Sequence, residues 1–259
     1  MTWLDQYGTL RFMNQDGKIR LGISQCLLGD RVRYDGGHKR DAFLADTLSR
    51  FVEWVPVCPE VEVGLGTPRD RMQLEGSAAS PHLITLTTRV DLTSAMTRFA
   101  ERRVREMEAL DLCGYVFKAR SPSCGIADVP IYSSRGGTRR NGAGLFARSF
   151  RKQFPLVPIE DEDRLNDPAV CVHFLERVLC YRRWRDVMRG RVTRQAVIAF
   201  HAAHQPLVLA HSRTHAQTLD RLTANAQRLT PKELARRYGS LFMKALATPA
   251  GSRAASQAH

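Results

Sequence analysis

Apolar positions change their period several times along the chain, and each change marks an element. Residues 19–25 alternate briefly and then meet Cys26-Leu27-Leu28-Gly29. Residues 52–57 run into Cys58-Pro59-Glu60, and residues 114–119 into Ser121-Pro122-Ser123-Cys124-Gly125. Residues 82–86 are short and partly β-branched. Apolar runs of this length, bounded by Gly and Pro, predict strands. Between them the spacing widens to three and four. Phe43, Leu44, Leu48 and Phe51 lie on one face of a helix over 41–51, and Met96, Phe99, Val104, Met107 and Leu110 on one face of a helix over 94–110. A further helix over 142–153 and a short strand over 156–159 continue the alternation. Strands alternating with helices predict an α/β fold built on a parallel sheet.

Asp167-Pro168 is a helix start, an acceptor at the cap followed by Pro in the first turn, and no breaker interrupts the run to Arg189. Beyond Gly190 the pattern is helical throughout, over 193–203, 214–227 and 230–246, with Thr230-Pro231-Lys232-Glu233 as cap and first turn. The expected organisation is an N-terminal extension over 1–18, an α/β domain over 19–165, a linking helix over 166–189 and an all-α region over 190–259. The small polar residues from Thr248 onward read as a frayed end.

With 259 residues, 43% of them hydrophobic and 25% charged, the chain can bury a core without disulfide staples. The first twenty residues hold no apolar stretch of signal-peptide length, and no window approaches a membrane span. A cytoplasmic protein with no membrane partner is expected. The net charge of +13 is uneven. Residues 190–259 carry ten basic against two acidic side chains. This excess suits weak contact with a nucleic acid or another polyanion, and equally a solvated basic face.

Six cysteines stand at 26, 58, 113, 124, 171 and 180. In a reducing compartment spaced thiols ligate metals or do chemistry more often than they form disulfides. Cys26, Cys58 and Cys124 each follow a predicted strand with Gly or Pro within three residues, at the sheet edge where ligands of parallel α/β folds bind. Three convergent thiolates make a metal site that leaves one iron of a cubane open. Buried small hydrophobes are the other reading, and it fits Cys113, Cys171 and Cys180 better, since these sit in apolar patterns.

The blocks Ser24-Gln25-Cys26-Leu27-Leu28-Gly29 with Val32-Arg33-Tyr34-Asp35-Gly36-Gly37, Pro56-Val57-Cys58-Pro59-Glu60 with Gly64-Leu65-Gly66-Thr67-Pro68-Arg69, and Ser121-Pro122-Ser123-Cys124-Gly125 together resemble the 2-thiouracil desulfidase (TudS-type) family over about residues 19–160. The resemblance implies a Rossmann-like domain, a 4Fe-4S cluster on Cys26, Cys58 and Cys124, Glu60 as acid/base and Ser121 as its assistant. It implies non-redox removal of sulfur from a thiolated pyrimidine such as 2-thiouracil, giving uracil and hydrosulfide. Ser24, Asp35 and Ser123, in the same blocks, are candidates for holding the pyrimidine edge or the cluster sulfurs, and Arg69 for a substrate or backbone contact. Each is equally compatible with loop structure.

In the helical region His201 and His204 are three apart, and His211 and His215 four apart. Such pairs can bind zinc, and more often are satisfied structural groups. Phe200-His201, His204, the segment 207–211 and His215 resemble a YbgA-type domain, which looks shortened after about Pro249. The alternative to an enzyme is a nucleic-acid-associated basic module whose α/β part is structural or senses sulfur.

Overall fold

The structure is a computed structural model that describes residues 18–133 and 136–250. The expected N-terminal extension, Lys18 apart, and the end beyond residue 250 lie outside the described residues. The chain divides into two compact units between Phe174 and Leu175.

The first unit is an α/β fold. Its strands β1 (Ile19–Ser24), β2 (Val52–Val57), β3 (Met72–Gly76) and β4 (Pro81–Thr85) precede the helix α1 (Thr93–Glu106). Strands β5 (Gly114–Phe117), β6 (Val129–Tyr132) and β7 (Thr138–Gly142), the helix α2 (Leu145–Gln153), strand β8 (Ile159–Asp161) and the single turn α3 (Glu162–Leu165) follow. One sheet has the order β2-β1-β5-β8, and every pairing in it is parallel. Its centre is apolar on both faces: Leu21, Ile23, Tyr115, Val116 and Phe117 are wholly buried. That is why these strands read as near-continuous hydrophobic runs. Tyr115 stacks on Phe117 at 3.9 Å and meets Phe150 of α2 edge-on at 4.8 Å. The ring crosses β1 at Gly22, where a Cβ would stand 2.1 Å from Tyr115 Cδ2, so only glycine fits.

The second sheet, β4-β3-β6-β7, departs from the expected single parallel sheet. The strand foreseen at 82–86 belongs here, as β4 paired antiparallel to β3, and β6 pairs antiparallel with β7. β7 is Thr-Arg-Arg-Asn-Gly with four exposed residues, so no apolar alternation announces it. Two further elements differ. Residues 43–50 form a widened turn and a 3-10 turn rather than a regular helix. The last parallel strand begins at Ile159, three residues later than the pattern suggests.

The loop carrying Cys124 packs against the start of α2. The amides of Phe146 and Ala147 donate to Ser123 O at 3.0 and 3.3 Å, and that of Gly144 to Gly125 O at 2.8 Å. Helix-start amides that would lack partners are thereby satisfied by the loop. A Cβ on Gly144 would lie 2.4 Å from Ser123 C and O and 2.7 Å from Cys124 N.

Helix α4 (Pro168–Arg189) starts where expected, with Asp167 Oδ1 accepting from Ala169 N at 2.8 Å, and runs across the division between the units. In the second unit it is followed by α5 (Arg194–His211), α6 (Arg213–Ala224) and α7 (Pro231–Leu246), so this region is helical as expected. Thr193, Ser212 and Thr230 cap the three helices through their hydroxyls. Trp184, Phe200, Tyr238 and Phe242 form the core, with centroid separations of 5.1 to 5.9 Å. The histidines are held as structural groups. His201 Nε2 meets Asp220 Oδ1 at 2.9 Å, His204 Nδ1 meets Phe200 O at 2.8 Å and His215 Nδ1 meets Ser212 Oγ at 2.8 Å. His211 is bound by Glu176 at 3.0 Å and by Thr248 O at 2.6 Å. No described helix is long and apolar enough to cross a membrane.

Gly144→Ala forces the helix start and the Cys124 loop apart, and an expected loss of about 1–3 kcal/mol is readable by urea unfolding. Burial opposes a charge on His211, but the bonds to Glu176 and Thr248 outweigh it and raise its pKa above the ordinary imidazole value. A raised folded pKa gives stability that is complete below the unfolded value and fades as pH rises through the folded one. The melting-temperature gap between the wild type and His211→Gln is therefore expected to be wider at pH 6 than at pH 8, as scanning calorimetry would record.

Candidate active site

Strand order decides where the loops meet. β1 lies between β2 and β5, and the connections leave it in opposite directions, which places the switch point of the sheet between β1 and β5. Crevices of parallel sheets form beyond the carboxyl ends of strands at such points. Cys26 lies in the 3-10 turn directly after β1, Cys58 is the first residue after β2, and Cys124 lies in the loop after β5. All three thiols line one cavity of about 400 Å³, roofed by β3 and β6 of the second sheet through Met72, Leu74, Val129 and Tyr132.

The thiols are close enough to influence one another. Burial, then the charge of Cys58, pushes Cys26 up to about 12. Burial raises Cys58 too, and raises Cys124 well beyond an ordinary thiol, against a hydrogen bond from Ser24. Cys58 Sγ donates to Val32 O at 3.6 Å. With nothing bound, all three stay protonated at neutral pH. Among the described residues no three His, Cys, Asp or Glu side chains close tightly enough to hold a single metal ion.

Glu60, on the turn after Cys58, is the one carboxylate among the described residues lining the cavity. Its Oε2 accepts from Arg69 Nε at 2.9 Å and from Arg69 Nη2 at 2.5 Å, and its Oε1 accepts from Ser123 Oγ at 2.9 Å. Arg69, 6% exposed at its side chain, also donates to Gly66 O and Val32 O at 2.9 Å each. Ser121 lines the cavity, and its Oγ accepts from the amides of Ser123 and Cys124 at 3.2 and 3.1 Å, so it shapes the loop as a serine turn does.

The remaining candidates are placed differently. Ser24 lines the cavity, is 2% exposed, and its Oγ accepts from Lys118 N at 2.9 Å. Ser123 is fully buried behind the wall and turned to Glu60. Asp35 is not among the lining residues; its Oδ1 accepts from Gly37 N at 3.0 Å and closes a turn. Residues outside the expected set are also present. Arg33, Lys39, Arg71, Lys118 and Arg120 join Arg69 on the wall; Arg33 pairs with Asp35, Arg120 with Asp163 and Arg69 with Glu60, while Lys39 and Arg71 make no ion pair among the described residues. Tyr34 lies between two of them, 5.3 Å from Arg33 and 5.1 Å from Arg71. Lys118 is paired with the buried Glu162, whose Oε2 also accepts from Ala119 N at 2.6 Å. Lys118 lies at the mouth of the strand run that ends in the Cys124 block, a signal open to sequence reading; Glu162, alone after a short strand, offered none.

No curated protein matches the chain. A solved structure described as a 4Fe-4S-dependent thiouracil desulfidase, TudS, is similar at 31% identity over 60% of this chain and 98% of that one, with a TM-score of 0.49. Residues 206–258 match the model of a family described as a protein of unknown function, DUF1722, the YbgA-like part of the chain. Residues 21–162, more than half of the chain, match the model of 2-thiouracil desulfurase and contain every cavity residue named above, and the chain belongs to that family.

Proposed function

We propose that the protein is a cytoplasmic desulfidase that converts a thiolated pyrimidine such as 2-thiouracil, with water, into uracil and hydrosulfide at a 4Fe-4S cluster held by Cys26, Cys58 and Cys124. The observation that carries this reading is the meeting of three thiols from three separate loops on one cavity wall with Glu60 and Ser121. The donor set suits such a cluster. Three soft sulfurs spread along a wall match a group in which each cysteine binds its own iron, more than they match one ion. Lys118 and Arg33 act on Cys26 in the direction that favours its thiolate. Loading releases the thiol protons.

When bound, the cluster supplies an iron without a protein ligand, a soft Lewis acid for the thiocarbonyl sulfur. The chain does the rest. Glu60 takes a proton from the water whose oxygen replaces sulfur at the ring carbon; the C–S bond breaks with its electron pair on sulfur, so no electron is gained or lost overall. Ser121 offers its hydroxyl proton to the pyrimidine. Ser24 accepts from the amide of Lys118 and anchors the loop after β5. Lys39 and Arg71, the two wall cations without an ion pair among the described residues, suit a polar substrate edge rich in acceptors.

A second reading concerns the helical unit alone. Arg221, Arg228, Arg236 and Arg237 line a cavity of about 590 Å³ with Leu222, Leu229 and Leu241. Among the described residues Arg237 pairs with Glu233, while Arg221, Arg228 and Arg236 make no ion pair. Guanidinium groups over an apolar floor favour a contact with nucleic acid through phosphate.

Anaerobically reconstituted protein is expected to bind iron, absorb visible light and release hydrosulfide from 2-thiouracil. Each of Cys26→Ala, Cys58→Ala and Cys124→Ala should abolish both iron and turnover, whereas Glu60→Gln should keep iron and lose turnover by about a hundredfold or more. Wild-type protein that stays free of iron would remove the proposal. For the second reading, single-stranded RNA is expected to bind with a steep salt dependence, and Arg221→Ala, Arg228→Ala and Arg236→Ala should each weaken it and lower the log–log salt slope by about one. Affinity indifferent to salt or to these changes excludes that contact.

A further inference from the structure

We infer that Arg69 and Ser123 are positioning residues that leave Oε1 of Glu60 as its one working atom; the inference rests on the proton-transfer role proposed for Glu60. An ionised carboxylate has about two in-plane acceptor sites on each oxygen. Both Arg69 donors fall on Oε2, at 2.9 and 2.5 Å, instead of one on each oxygen as in a side-by-side pair. Oε2 is thereby filled. Oε1 receives one bond, from the fully buried Ser123 hydroxyl at 2.9 Å, and retains one site. Glu60 is 15% exposed at its side chain and borders the cavity, so that remaining site is where a water can be met.

The clamp cannot easily swing. Arg69 is fixed at Gly66 O, Val32 O and, through its own amide, Tyr34 O at 2.8 Å. Ser123 is fixed through its carbonyl by the first amides of α2. One carboxylate therefore joins the loop after β1, the loop after β2 and the loop after β5, each of which also bears one of the three cysteines. Positioning to a few tenths of an ångström is worth orders of magnitude in rate when the acting group must meet a reacting atom.

The test is a double-mutant cycle on anaerobically loaded protein with iron counted per chain. Ser123→Ala is expected to keep iron, to lower kcat on the order of tenfold to hundredfold with little change in KM, and to have no further effect in a Glu60→Gln background. Arg69→Lys keeps the charge and loses the fork, and is expected to behave in the same way. A crystal structure of Ser123→Ala should show the Glu60 carboxylate turned about its terminal bond, a result independent of turnover. Should Arg69→Lys fail to fold, Ser123→Ala alone decides. Multiplying losses in the double variant, or full kcat in Ser123→Ala with an unmoved carboxylate, would overturn the positioning role and leave the Glu60 proposal standing. Full activity of Glu60→Gln would instead remove both.

Discussion

The parallel hydrogen bonding of β1 to two neighbours at once is the constraint on which the site depends. Registers from Ile19 opposite Val52 to Ser24 opposite Val57 on one side, and Leu21 opposite Gly114 on the other, fix the ends of three strands within one edge. Parallel strands need long crossover connections, and here those connections hold the second sheet and two helices. The cysteines are thus remote in sequence and adjacent in space for one reason: they occupy the first turns after strands that cannot slide without turning every core side chain to the wrong face.

Desolvation then sets the character of the cavity. Thiols withdrawn from water resist ionisation, and a carboxylate beside them needs its own support. Arg69 and Ser123 provide that support for Glu60, and Lys118 with Glu162 forms a second buried pair on the far side of the same loop. Six basic residues stand on the wall, and with Arg33, Arg69, Lys118 and Arg120 paired to carboxylates, Lys39 and Arg71 carry the positive charge that the cavity presents.

Much of this was legible in the chain. The strands leading to Cys26, Cys58 and Cys124 are wholly or largely apolar and are followed by loops that contain Gly29, Pro59, Pro122 and Gly125, so their existence and their loops could be read directly. The helices after Gly190 carry caps at Thr193, Ser212 and Thr230 as well as a clean period. The second sheet was hidden because Thr138–Gly142 is polar and gains its strand state only by pairing with β6. The partners of Glu60 were hidden for a related reason. Ser123 is 63 residues away and Arg69 nine, and nothing in local spacing tells a serine that serves a carboxylate from one that closes a turn. Asp35 shows the converse: a polar residue in a marked block whose hydrogen bond is spent on its own turn.

The close passage of the Tyr115 ring over Gly22 has a bearing on how this family can vary. A ring and a missing side chain share one volume, on two strands joined by the parallel ladder, and neither neighbour can grow while the other remains. Relatives with a larger residue at the position of Gly22 must therefore carry a smaller one at that of Tyr115, a compensating exchange that would mark the two sites as evolutionary partners although more than ninety residues part them.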